Sequence, residues 1–221
     1  MIKAVIFDFD GTLSNRRGSM YSLYRKYLKP YFSTLDENEY EAVLQDAMVY
    51  DLDGQVNMSQ RLQIFTEKYN KYFTENDKNE LVKYTYANVH KYTFLRDDTI
   101  EVLDKLKDKY KLAVITNGLS DSQHNKIINC GIDKYFDEII VSEDAGFAKP
   151  DVRIYQMMID KLGLKPEECV YVGDTFQTDI IGAINANMVP IWIMTDKDKP
   201  NCYKGYKVVE LSEILHILNS L

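Results

Sequence analysis

"MIKAVIFDFDGTLSNRR" (1–17) decides how this chain is read. Residues 2–7 are mostly apolar, and Asp8 and Asp10 stand where that run ends, followed by Gly11 and Thr12. The run reads as a buried strand, and residues i and i+2 of a strand share a face. Two carboxylates on one face repel by a few kcal/mol at an effective dielectric of about 20. Other parts of the chain must therefore bring compensating groups to the end of this strand.

Further runs of the same kind lie downstream: "KLAVIT" (111–116), "EIIVS" (138–142), "CVYVG" (169–173) and "VPIWIM" (189–194). Each is short, rich in Val and Ile and without alternation, as expected of strands covered on both faces in a parallel sheet. Helical patterns separate them. Residues 120–130 carry Ile127 and Ile128 and stop at Gly131, and residues 151–162 carry Ile154, Met158 and Leu162 and stop at Gly163. Residues 177–186 lead to Ile180, Ile184 and Met188 four apart, with Asn187 where a left-handed cap is expected. Strand and helix alternate from about residue 97, so the fold class is α/β, a doubly wound parallel sheet. The stretch 15–93 differs. Its patterns are helical (19–32, 36–50, 59–73 and 77–91), broken by Pro30, Gly54 and "TEND" (74–77). It reads as an all-helical module inserted after the first strand, giving domains of 1–14 with 94–221, and 15–93.

The chain has 221 residues, 45% hydrophobic and 28% charged, the composition of a globular protein with room for one large core and a smaller unit. A formal charge of −7 argues against a nucleic-acid polymer as partner, because binding phosphate backbones needs a basic face. Cys130, Cys169 and Cys202 lack metal-ligand spacing and read as free thiols in a reducing compartment. No run approaches the roughly 20 apolar residues of a membrane span, and the first strand begins too early for a secretory signal to precede it. The expected location is cytoplasmic, without a membrane partner.

In an open parallel sheet, ligands bind at the carboxyl ends of the strands. The first strand ends in Asp8-x-Asp10, the second in Thr116-Asn117-Gly118, the third is followed by "AKPD" with Lys149, and the fourth runs into "GDTFQTD" (173–179) with Asp174 and Asp179. Each alone reads as a turn, a loop residue or a helix cap. Together and in this order, they bring carboxylates, a hydroxyl and an ammonium to one rim.

The set "DFDGTL" (8–13), "TNG" (116–118), "KP" (149–150) and "GDTFQTD" resembles the haloacid dehalogenase superfamily, and the helical insertion sits where members carry an α-helical (C1-type) cap. The resemblance implies that Asp8 is a nucleophile forming an aspartyl-phosphate. It implies Mg²⁺ held by Asp8, the main chain of Asp10, and Asp174. Asp179 is then assigned to orient Lys149 or a water on the metal. The charge count agrees: Asp8, Asp174 and a phosphate dianion carry about four negative charges, Lys149 offsets one, and an oxygen-lined site suits a hard cation. The Asp10 side chain is expected to be general acid and then general base. Thr116 and the N–H groups of Asn117 and the 9–11 loop are expected to bind phosphoryl oxygens. Lys149 is expected to hold Asp8 and the phosphoryl group, and Gly11 to turn the chain beside the phosphate. An acid at position 10 is, by the same resemblance, a feature of phosphatases and mutases that the dehalogenase branch lacks.

The expected partner is a small phosphorylated metabolite. "TNGLSDSQHNKIINCGIDKYFDEIIVSEDAGFAKPD" (116–151) with "GDTFQTDIIGAINANM" (173–188) looks most like nucleoside 5′-monophosphate phosphatases and acylneuraminate-9-phosphatases. From Asn15 to Leu35 there are five basic residues and no acid, alongside Tyr21, Tyr24, Tyr27 and Tyr31. This is read either as a solvated basic face over tyrosines packed inside the module, or as Arg16 or Arg17 facing an anionic substrate while a tyrosine stacks on a ring. The linker "TFLRDDT" (93–99) lacks the Pro-Gly of relatives. Ser120 reads as a helix cap rather than a nucleophile, Met157 and Met158 as core residues, and none of the three histidines as catalytic. Two rivals remain open on sequence alone: a phosphosugar mutase using the same residues, and a phospho-accepting signalling domain without turnover.

Overall fold

The computed structural model describes residues 1–51, 56–194 and 201–221. The chain divides into two compact units, Met1–Asn15 with Leu95–Leu221, and Arg16–Phe94.

The first unit holds a six-stranded, all-parallel sheet built from β1 (Ala4–Phe7), β2 (Lys111–Thr116), β3 (Glu138–Val141), β4 (Cys169–Gly173), β5 (Val189–Ile193) and β6 (Tyr206–Val208), in the order β3-β2-β1-β4-β5-β6. Its helices are α5 (Thr99–Leu106), α6 (Ser120–Asn129), α7 (Ser142–Ala145), α8 (Val152–Leu162), α9 (Ile181–Asn185) and α10 (Ile214–Ser220). β1 shows why its sequence does not alternate. Val5 and Phe7 pack with Val102 and Leu106 of α5, Ile127 of α6 and Ile214 of α10, whereas Ala4 and Ile6 pack with Ile154, Tyr155 and Met158 of α8 and Ala183 of α9. Both faces are covered, so every position must be apolar. With β2 on one side of β1 and β4 on the other, the residues leaving these three strands emerge side by side.

The expected helix at 177–186 begins instead as a π-helical turn, Phe176–Ile180, before α9. Ile180, inside this turn, and Met188, beyond the end of α9, are buried while Ile184 is exposed. Asn187 adopts the expected left-handed conformation (φ 57°). Ser120 is the first residue of α6 rather than its cap; Leu119 holds that position without a side-chain bond, and the Ser120 hydroxyl donates to Asp144 (2.9 Å).

The second unit consists of α1 (Arg16–Leu28), α2 (Glu37–Asp51), α3 (Met58–Lys68) and α4 (Glu75–Tyr92) around Leu23, Tyr24, Phe32, Leu44, Phe65 and Leu81. α3 starts where Asn57 accepts a hydrogen bond from the Ser59 N–H (2.8 Å), and α4 starts at a reciprocal Thr74–Asp77 capping box. Its tyrosines have partners inside the unit: Tyr27 stacks on Tyr84 (3.7 Å), Tyr31 packs on Phe73 (4.8 Å), Tyr24 is buried, and the Tyr21 hydroxyl donates to Glu41 (2.5 Å). The break expected at Gly54 lies outside the described residues. Among the described residues, no helix is long and apolar enough to cross a membrane.

Candidate active site

Asp8 is the first residue beyond β1, and its N–H still donates to the Val172 carbonyl of β4 (2.9 Å). The chain then turns tightly, with the N–H groups of Leu13 and Ser14 both donating to the Phe9 carbonyl (3.0 Å each), and with Phe9 and Leu13 anchored in the core. Between those anchors, Asp10 and Gly11 are held over the strand ends. Gly11 has φ +95°, and a Cβ there would stand 2.3 Å from Asp174 Oδ2. Only glycine lets Asp174 approach this loop so closely.

Lys149 is 5% exposed, and its ammonium donates to Asp8 Oδ1 (2.6 Å), Asp179 Oδ1 (2.7 Å) and the Tyr171 hydroxyl (3.0 Å). An ammonium has three hydrogens, and all three have an acceptor. The lysine backbone is fixed as well: its N–H donates to Asn117 Oδ1 (2.8 Å), and Asn117 Nδ2 donates to its carbonyl (3.0 Å). Asn117 thus links the end of β2 to the Lys149 loop. Asp179 Oδ2 accepts from the Thr175 N–H (2.9 Å). At Gly173 a Cβ would stand 2.4 Å from that of Asp179, so this residue too must lack a side chain.

Carboxylate oxygens of Asp8, Asp174 and Asp179 lie within 4.8 Å of one another. Three carboxylates facing one ammonium carry an excess of two negative charges when ionised. Burial raises the Asp8 carboxyl, the Lys149 charge opposes this, Asp179 adds to it, and the balance pushes it up to about 7. Burial and then the charge of Asp8 push Asp174 well above the usual carboxylate range. Burial works against the Lys149 ammonium, but Asp179 and Asp8 outweigh it and raise its pKa. This donor set, all hard oxygen with uncompensated charge, fits a divalent cation of the Mg²⁺ type.

Thr116 closes β2 and is buried. Its hydroxyl accepts from Gln123 Nε2, which also donates to Asp10 Oδ2 (3.0 Å), and Lys126 Nζ donates to that same oxygen (2.7 Å). Trp192 Nε1 donates to the Asp174 carbonyl (2.9 Å). The structure therefore gathers Asp8, Asp10, Gly11, Thr116, Asn117, Lys149, Asp174 and Asp179 within the α/β unit. Arg16 and Arg17 belong to the helical unit. There the Arg16 guanidinium is paired with Asp51, and Arg17 is exposed in the first turn of α1. Four contributors went unread in the sequence: Gln123, Lys126, Tyr171 and Trp192. Gln123 and Lys126, three apart in the helix after "TNG", carried a usable signal, since that spacing puts both on one face. Tyr171 and Trp192 read only as strand core.

Residues 5–193 match the family of haloacid dehalogenase-like hydrolases. A glyceraldehyde 3-phosphate phosphatase of Methanothermobacter thermautotrophicus is 33% identical over 97% of this chain and 97% of its own. The chain belongs to the haloacid dehalogenase-like hydrolases. Within this family, an N-acylneuraminate-9-phosphatase of Mus musculus is 34% identical over 57% of this chain and 53% of its own. Among solved structures, the HAD-hydrolase YfnB of Bacillus subtilis, described as bound to magnesium, has a TM-score of 0.78 at 23% identity, covering 99% of both chains. That likeness extends the shared fold over both units.

Proposed function

We propose that this hydrolase is a Mg²⁺-dependent phosphatase that releases inorganic phosphate from a small phosphorylated metabolite through an aspartyl-phosphate on Asp8. What supports this reading is the grouping of Asp8 with Lys149, Asp174 and Asp179 at the carboxyl ends of adjacent strands. Asp8, Asp174 and the Asp10 carbonyl would hold Mg²⁺, which when bound supplies positive charge that lets a carboxylate approach a phosphate dianion.

The rest of the chemistry falls to the chain's own groups. Lys149 orients Asp8, and one Asp8 oxygen attacks phosphorus as the bond from phosphorus to the leaving oxygen breaks. The Asp10 carboxyl gives its proton to that leaving oxygen. The Thr116 hydroxyl and the N–H groups near Asn117 and Gly11 take the phosphoryl oxygens as their charge redistributes. Asp10, now a carboxylate, removes a proton from water, which attacks phosphorus and restores the Asp8 carboxylate. The helical unit, inserted after β1, is assigned the role of a cap in this reading.

The substrate class is drawn from the relatives. Similarity to the glyceraldehyde 3-phosphate phosphatase covers 97% of the chain, which favours a small sugar phosphate or triose phosphate. The nucleotide alternative needs a stacking tyrosine, and Tyr24, Tyr27 and Tyr31 are engaged in packing their own unit. A screen for inorganic phosphate release with Mg²⁺ over triose phosphates, sugar phosphates and nucleoside monophosphates tests this, with Asp8→Asn as the blank. Phosphate release that depends on both Mg²⁺ and Asp8 is expected. Transfer of the phosphoryl group within a sugar without release would favour a mutase, and a phosphorylated form lasting minutes without turnover would favour a signalling role.

A further inference from the structure

Helix α6 sends two side chains to the rim that the proposed reaction leaves unassigned. Gln123 is 2% exposed and Lys126 8%, and their contacts converge. Both donate to Asp10 Oδ2, at 3.0 and 2.7 Å, while the Gln123 amide also reaches the Thr116 hydroxyl and, at 3.3 Å, the Asn117 carbonyl. The backbone is shaped around this arrangement. Gly118 has φ +150°, and a Cβ there would stand 2.9 Å from Gln123 Cγ and 3.1 Å from Cδ. The glycine of "TNG" thus leaves room for the glutamine stem to pass.

We propose that Gln123 and Lys126 are positioning residues: they hold Asp10 by one oxygen, Oδ2, and orient the Thr116 hydroxyl. Helix α6 thereby sets both the proton transfer to the leaving group and the aim of a phosphoryl contact. The inference rests on the acid–base role of Asp10 in the proposed function. A threonine hydroxyl has a single hydrogen, so an N–H directed at its lone pair leaves that hydrogen to be donated elsewhere, here to a phosphoryl oxygen. A carboxylate gripped at Oδ2 by two donors cannot rotate freely, which fixes the direction of its proton transfer. Misplacing a reacting group by about 1 Å costs on the order of 10²-fold in rate. The pair also divides the charges of the site: Lys126 serves Asp10, and Lys149 serves Asp8 and Asp179.

A purely structural tie between α6 and the Asp10 loop would act alike on every substrate, and leaving-group dependence separates the two cases. The measurement is kcat/KM, which reports the steps through leaving-group departure. It is compared for the alkyl phosphate monoester that the wild type turns over fastest and for p-nitrophenyl phosphate, whose leaving group departs without a proton. Lys126→Met is expected to lower kcat/KM about 100-fold on the alkyl ester and only a few-fold on the aryl ester, with part of the loss recovered in Lys126→Arg. Gln123→Met is expected to lower both, because Thr116 meets the phosphoryl group common to the two esters, and to lower the alkyl ester more, because Gln123 also holds Asp10. Equal losses on both esters for either variant, or wild-type kcat/KM for Gln123→Met, would overturn the proposal. Thermal unfolding checks the fold of each variant; should Lys126→Met not fold, Gln123→Met decides alone. Asp10→Asn is run alongside. If it lacks the alkyl-ester bias, the acid–base reading itself fails; if it shows the bias and Lys126→Met does not, only the present inference fails.

Discussion

In the α/β unit one ammonium is shared by two carboxylates; in the helical unit one carboxylate is shared by two guanidiniums. Lys149 sits between Asp8 and Asp179, with Asp174 adding a third negative group nearby. Asp51, 1% exposed at the end of α2, is paired with Arg16 at the start of α1 and Arg61 on α3, and Arg61 also donates to the Asp51 carbonyl (2.8 Å). Both arrangements carry excess charge, of opposite sign. A guanidinium is planar, delocalised and weakly hydrated, so a positive excess spread over two of them is tolerated inside a protein. The negative excess is concentrated on carboxylate oxygens within 4.8 Å of one another, which is a geometry for binding a cation. The arginine triad ties three helices together, whereas the lysine triad is completed by what it binds.

That contrast can be broken in several ways. The largest effect is expected from Asp8→Asn, which should cut phosphate release on the order of 10⁴-fold or more, as loss of a nucleophile does, while thermal unfolding shows an intact fold. Asp51→Ala should do the reverse. Removing the carboxylate that pairs with the buried Arg61 and the partly buried Arg16 costs about 3–5 kcal/mol, measured by urea unfolding. A variant that kept its stability and lost only activity would erase the distinction.

Adding Mg²⁺ ranks next. Asp8 and Asp174 have folded-state pKa values above their unfolded values, so between pH about 4 and 7 the folded chain binds more protons than the unfolded one. Metal-free stability therefore falls as pH rises through that window. Mg²⁺ at 100 times its dissociation constant should add about 2.7 kcal/mol. Calorimetry should find the gain larger at pH 7.5 than at pH 5, and absent at both in Asp174→Ala.

The smallest effect belongs to Asp151, the partly exposed cap of α8. The Arg153 side chain and then its backbone N–H pull the Asp151 pKa down to about 2. Here the sign reverses: the contribution is present above pH about 4 and lost as pH falls toward 2. Asp151→Asn should lower the unfolding temperature slightly at pH 7 and not at pH 2.

The same physics decides which parts were legible in the sequence. Five strands announced themselves because both faces are buried, which forces continuous apolar runs. β6 did not, because Tyr206 and Lys207 are exposed at the sheet edge and only Val208 is buried. The four strand-end motifs were legible because chemistry there requires residue types that a core excludes. The π-helical turn was not, since "FQTDI" has the composition of an ordinary helix start, although this turn is what carries Asp179 to Lys149. Gln123 and Lys126 were only half legible: their spacing puts both on one face of α6, but a polar pair on a surface helix is the common case, and tertiary contact is what shows that this face turns inward.

Trp192 is the chain's single tryptophan, and its indole N–H is bound to the main chain of Asp174 while its ring packs against Phe176 and Tyr203. One fluorophore is thus bonded to the main chain of a residue whose carboxylate belongs to the acidic cluster at the rim. Ion occupancy should be readable from intrinsic emission alone, in unlabelled protein and without any turnover.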